Sequence, residues 1–254
     1  MSKPRFRSYV ICTTPRSGST LLCALIDATG TAGHPDSHFH DPSLDRWLQE
    51  YGLGGERFAS REDALRAVFA CARERGAGDT GIFGLRMQRA SFAHFIEQAE
   101  RLYPGRSCDV ERIEAAFGPT LFVHLRRDDK LAQAVSRVMA EQTGLWHRKA
   151  DGSELERLAP ARAPRYDRAA IARHMAELTA LDAEWELWFA REGLAPLRVR
   201  YDALADAPQA TLAHFMDALG LDPGPARRVQ PPTARLAGPE NREWIARFIA
   251  QTAA

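Results

Sequence analysis

A repeated layout limits this chain most: a short apolar run, a polar turn, then an amphipathic helix. Ser8 to Thr13 (Ser-Tyr-Val-Ile-Cys-Thr) opens it, and Thr120 to Leu125 (Thr-Leu-Phe-Val-His-Leu) repeats it. Both runs have the length of a strand and are apolar enough for burial on both faces. After the first, Leu21, Leu22, Leu25 and Ile26 set a helical pattern closed by Gly30. After the second, Leu131, Ala134, Val135, Val138 and Met139 set another. Ile82 to Met87 and Leu197 to Tyr201 read as two further strands. Helical patterns follow Ser60, surround Phe92 to Leu102, and recur at Ile171 to Phe189, Leu212 to Leu219 and Trp244 to Ile249. The stripe of Trp185, Trp188 and Phe189 reads as core, with a dimer face as the alternative. Strands alternating with helices predict an α/β fold with a mostly parallel central sheet flanked by helices. Gly33 to Trp47 and Trp146 to Tyr166 read as long polar loops. No linker divides the chain, so residues 1–254 are expected to form a single domain.

The 254 residues carry 34 Lys and Arg against 33 Asp and Glu, so no overall field favours nucleic acid or a membrane surface. Any basic site must be local. Cys12, Cys23, Cys71 and Cys108 are scattered without metal-ligand spacing. No signal peptide or transmembrane run is visible, and the expected location is cytoplasmic.

The first turn carries the clearest chemistry. Thr14-Pro15-Arg16-Ser17-Gly18-Ser19-Thr20 joins a buried strand to a helix start, where parallel sheets bind anions. Gly18 admits close approach of backbone to an anion, and Ser17, Ser19 and Thr20 supply hydroxyls. Arg16 supplies a planar fork suited to phosphate or sulfate oxygens, and could neutralise a leaving phosphate. The loop is not a nucleotide triphosphate P-loop, since no glycine stands five positions before Gly18 and no lysine follows it.

This loop resembles the 5′-phosphosulfate loop of sulfotransferases that use 3′-phosphoadenosine 5′-phosphosulfate (PAPS). The chain is most similar in pattern to the bacterial family of trehalose 2-sulfotransferase and its nodulation- and lipopolysaccharide-sulfotransferase relatives. Ala28 to Pro35, Gln133 to Ser136, Gln142 to Trp146 and Trp185 to Phe189 match that pattern in order. The resemblance implies a P-loop-like sulfotransferase fold and PAPS as co-substrate without a metal. It implies a 3′-phosphate held by Arg127 and Ser136, with Arg126 as an alternative to Arg127, and Arg235 as a late basic residue. It also implies a carbohydrate or glycolipid acceptor, and makes a homodimer reasonable.

Sulfuryl transfer to a sugar hydroxyl needs a base, which the family places as a glutamate in the loop after the first helix. Here that loop reads Gly33-His34-Pro35-Asp36-Ser37-His38-Phe39-His40, and the glutamate position becomes Ser37. Asp36 is the first candidate base and His38 the second, with His34 and His40 further choices. His34, Ser37 and Arg86 are expected on the acceptor side. Three histidines with an aspartate would also suit a metal, which the family does not use. Two rival readings remain: a kinase-like phosphotransferase on the same scaffold, and a non-catalytic nucleotide- or sugar-binding relative.

Overall fold

The computed structural model describes residues 5–148, 151–230 and 238–253. Four strands form the central sheet: β1 (Ser8–Thr13), β2 (Phe83–Gln88), β3 (Thr120–Arg126) and β6 (Leu197–Arg200). They lie in the order β2-β1-β3-β6 and every pairing is parallel. β1 is central and fully buried, and its side chains alternate between two cores. Val10 and Cys12 point into a core made by α2 (Leu44–Glu50), α3 (Arg61–Ala77), α4 (Arg89–Leu102), α5 (Asp109–Phe117) and α7 (Arg168–Arg191). Tyr9 and Ile11 point to the other side, against α1 (Ser19–Asp27), α8 (Tyr201–Asp206) and α9 (Pro208–Leu219). A third, smaller core joins α6 (Lys130–Thr143), α7 and α10 (Pro239–Ala253). The α7 stripe is core, as its period requires: Trp185, Trp188 and Phe189 are all buried.

Three stretches differ from the sequence reading. Trp146 to Tyr166 is not loop throughout. It takes part in an antiparallel hairpin of β4 (Leu145–Arg148) with β5 (Glu154–Arg157), whose β5 residues are largely exposed and so show no apolar alternation. The loop from Gly33 ends early, because the Ser43 side chain accepts the Arg46 N–H and starts α2. α5 and α8 are short helices whose patterns are too brief to stand out. Among the described residues, no helix is long and apolar enough to cross a membrane.

Candidate functional site

Strand order places the site. From β1 the chain crosses to β2 on one side and then to β3 on the other, so the order reverses between β1 and β3. Ligands of open α/β sheets bind beyond the carboxyl ends at such a reversal. The Thr14–Thr20 loop leaves β1 there, and Arg127 follows β3. Between them opens a cavity of about 590 Å³.

The loop is held from behind. Trp185 Nε1 donates to Thr13 O at 2.9 Å, and Gln133 Nε2 donates to Pro15 O at 2.7 Å and Thr14 Oγ1 at 3.1 Å. Thr14 Oγ1 donates to Asp182, which also pairs with Lys130. Arg16 and Gly18 both take left-handed φ, at 63° and 91°. For arginine that conformation is strained and is kept because the surrounding bonds fix it. A Cβ at Gly18 would lie 2.6 Å from Tyr201 Cδ2, so glycine is required by space as well as by φ. α1 begins without a side-chain cap and without an acid in its first turn, which leaves its first amides to an anion.

At the donor end Arg16 Nε donates to Ser136 Oγ at 3.1 Å, and its guanidinium also donates to Trp146 O. Burial first, and then Arg127, draw the Arg16 guanidinium down to about 10, still charged at neutral pH. The Arg127 guanidinium sits 4.5 Å from the Tyr201 ring centroid, and Asn241 and Arg242 reach the same cavity from the first turn of α10. Gly18, Ser19, Thr20, Arg127 and Ser136 all line it. Two of the expected residues have partners of their own. Ser17 is fully buried with its hydroxyl on Thr13, bracing the loop instead of facing a ligand. Arg126, the alternative to Arg127, pairs with Asp128 at 2.8 Å and Glu186 at 3.8 Å. Arg235 lies outside the described residues.

At the acceptor end Arg86 organises the wall. Its Nε donates to Ser37 Oγ at 2.7 Å, Nη1 to Thr20 Oγ1 at 3.0 Å and Nη2 to Asp36 Oδ1 at 3.2 Å. Asp36 is fixed by a parallel bridge to Leu85, the Arg86 N–H donating to its carbonyl at 2.9 Å. His40, Asp41 and Glu50 complete this rim, and burial followed by Asp36 raises the Glu50 carboxyl. Two histidines leave the candidacy. His38 is buried against Phe83 with Nδ1 on the Tyr51 hydroxyl, and burial lowers its imidazole. His34 pairs with Asp27 away from the cavity. Among the described residues no cluster of His, Cys, Asp and Glu is arranged to hold a metal ion.

Sequence reasoning passed over Tyr201 and His147, as it did Asp41, Glu50, Asn241 and Arg242. Tyr201 had a signal, since it closes a predicted parallel strand and so falls at a ligand-facing end. His147 had none, because its place depends on the hairpin register. Its Nε2 lies 3.0 Å from Thr20 Oγ1 and 3.4 Å from Glu156 Oε2. Burial, then Arg16, then Arg86 depress its imidazole to about 4, so it is neutral at pH 7.

A loop bearing an arginine at the switch point of a parallel sheet, with a second arginine and a serine beside it, has the geometry suited to holding an anionic group. The chain belongs to the Stf0 sulphotransferase family, whose model matches residues 8–251. It is 30% identical to trehalose 2-sulfotransferase of Mycobacterium tuberculosis (strain ATCC 35801 / TMC 107 / Erdman), over 96% of this chain and 95% of that protein. It is 28% identical to trehalose 2-sulfotransferase of Mycolicibacterium smegmatis (strain ATCC 700084 / mc(2)155), over 95% and 94%. Among solved structures, it is similar to a sulfotransferase from Alicyclobacillus acidocaldarius, at 14% identity and TM-score 0.44 over 99% of this chain and 93% of that one.

Proposed function

We propose that this sulfotransferase takes its sulfuryl group from PAPS and passes it to a carbohydrate hydroxyl, with trehalose the first acceptor to test. The observation that carries the reading is the Arg16–Ser136 hydrogen bond. It joins the loop after β1 to the helix after β3 at one cavity, which supports a donor with two anionic groups, such as a nucleotide phosphorylated at both ribose ends. The donor supplies an activated sulfuryl group on a phosphate leaving group.

Around it the chain supplies position and charge. Arg16, Ser19, Thr20 and the first amides of α1 hold the 5′ end, while Arg127 and Ser136 hold the 3′-phosphate. Arg86, with Ser37 and Asp36 on its fork, orients the acceptor hydroxyl. The relatives' names support trehalose. The open, acidic rim of His40, Asp41 and Glu50 is also wide enough for a larger glycoside or the head of a glycolipid. We place the reaction in the cytoplasm, and a homodimer is part of the proposal.

The test is calorimetry with 3′,5′-diphosphoadenosine, followed by mass spectrometry of trehalose incubated with PAPS. Binding and a sulfated product are expected. Magnesium-dependent ATP binding without response to the 3′-phosphorylated nucleotide would overturn the reading in favour of a kinase. Nucleotide binding with no transfer to any sugar would favour a non-catalytic relative.

A further inference from the structure

The acceptor hydroxyl must lose a proton, and the groups first considered for receiving it are poorly placed. Ser37 is a hydroxyl already accepting from Arg86. Asp36 Oδ1 accepts both the Ser37 N–H at 2.7 Å and Arg86 Nη2, and its side chain is 71% exposed. His38 is in the core.

Resting on the sulfotransferase reading above, we propose that His147, carried by the β4–β5 hairpin, is the catalytic residue that receives the acceptor proton. His147 contacts the phosphate loop itself, through Thr20 at the start of α1. Thr20 Oγ1 accepts from Arg86, which leaves its own hydrogen to donate to His147 Nε2. The base role takes the tautomer with the ring proton on Nδ1 and the free pair on Nε2, facing the loop; the other tautomer would donate Nε2–H to Glu156 Oε2 at 3.4 Å, and the imidazole signals distinguish the two. An entering acceptor hydroxyl replaces Thr20 as the donor to Nε2, and the Thr20 hydroxyl turns to the bound anion. The acceptor O–H bond then breaks, its proton passing to Nε2. The acceptor oxygen forms the new O–S bond as the S–O bond to the 5′-phosphate breaks, and the phosphate leaves with that electron pair. Glu156 Oε2, 3.4 Å from Nε2, stabilises the imidazolium.

The charged groups facing His147 come from three elements: Arg16 from the loop, Arg86 from β2 and Glu156 from β5. Both arginines hold the imidazole's basicity down, and both face the place of the donor anion. Filling that place compensates their charge, so the imidazole becomes more basic as the reactive complex assembles.

The test follows the imidazole signals of isotope-labelled wild-type protein with and without 3′,5′-diphosphoadenosine, assigning His147 by its loss in His147→Gln. The His147 pKa should move up from about 4 toward the ordinary imidazole value. In the transfer assay the wild-type rate should fall as pH drops through that raised value. His147→Gln should keep nucleotide affinity, lose about a hundredfold in transfer and lose the acid limb. Asp36→Asn should keep the limb and raise the acceptor KM. Nucleotide binding with an unmoved His147 signal, or an acid limb lost in Asp36→Asn and kept in His147→Gln, overturns this assignment alone. Failure of wild type to bind the nucleotide removes the sulfotransferase donor reading, and this assignment with it.

Discussion

The two ends of the cavity are built differently. The donor end rests on buried bonds from several elements: Trp185 of α7 on Thr13, Gln133 of α6 on Pro15, and Asp182 of α7 between Thr14 and Lys130. Asp182 and Lys130 side chains are 10% and 16% exposed. The acceptor end hangs on a surface loop and a polar hairpin, where the Asp36 side chain is 71% exposed and Glu156 46%. A buried scaffold thus fixes the loop after β1, and more exposed segments line the opposite wall.

Breaking the donor brace should give the largest effect. Asp182→Ala removes the counter-charge of the part-buried Lys130 ammonium, leaving it the Arg127 carbonyl and the Gln133 amide oxygen, and takes away the acceptor of the Thr14 hydroxyl. A loss of about 3 kcal/mol is expected, or roughly 6 to 12 °C in thermal unfolding, with weakened nucleotide binding beside it. An unchanged melting temperature would mean the loop stands without this support. Arg16→Ala should separate affinity from stability. Charged hydrogen bonds to an anion contribute about 2 to 3 kcal/mol, so nucleotide affinity measured by calorimetry should fall by roughly a hundredfold. The fold should change little, because Arg16 is only part-buried and lines the cavity.

The same contrast explains how much of the molecule was readable in advance. The sheet was legible because buried parallel strands such as Ser8–Thr13 and Thr120–Arg126 are continuous apolar runs. The candidate loop after β1 was legible because its residues are local: Arg16, Gly18, Ser19 and Thr20 are neighbours in sequence and line one cavity. Ser17 misled, because a hydroxyl in such a loop can turn inward as readily as outward, and only the packing of Thr13 decides. His147 was illegible for the opposite reason. It reaches Thr20 across 127 positions through a hairpin whose polar sequence gives no strand signal. His38 shows the limit of composition: a histidine beside an aspartate on a functional loop is drawn into the core by Phe83 and Tyr51.

Gly18→Ala sharpens the donor side by one methyl group. A left-handed φ costs an L-residue about 1 to 2 kcal/mol, and the new Cβ would press the Tyr201 ring at 2.6 Å. That ring carries Arg127, so the substitution should weaken nucleotide binding more than it lowers the melting temperature. Equal losses in both would place the strain in the fold alone.

The smallest effect on stability is expected at the acceptor end, from Ser37→Glu. Ser37 Oγ already receives Arg86 Nε, and a carboxylate there would exchange a neutral acceptor for a charged one beside the same fork. Surface substitutions of this kind change stability by about 0.5 kcal/mol or less, and nucleotide affinity should stay near wild type. The acceptor KM should shift, because the new side chain extends into the space between Arg86 and the rim. Transfer should still depend on His147, since the added carboxylate is bound to Arg86 just as Asp36 is. If Ser37→Glu instead restores full activity to His147→Gln, the carboxylate position and not the hairpin imidazole governs the proton. The acceptor end would then be the less adaptable of the two.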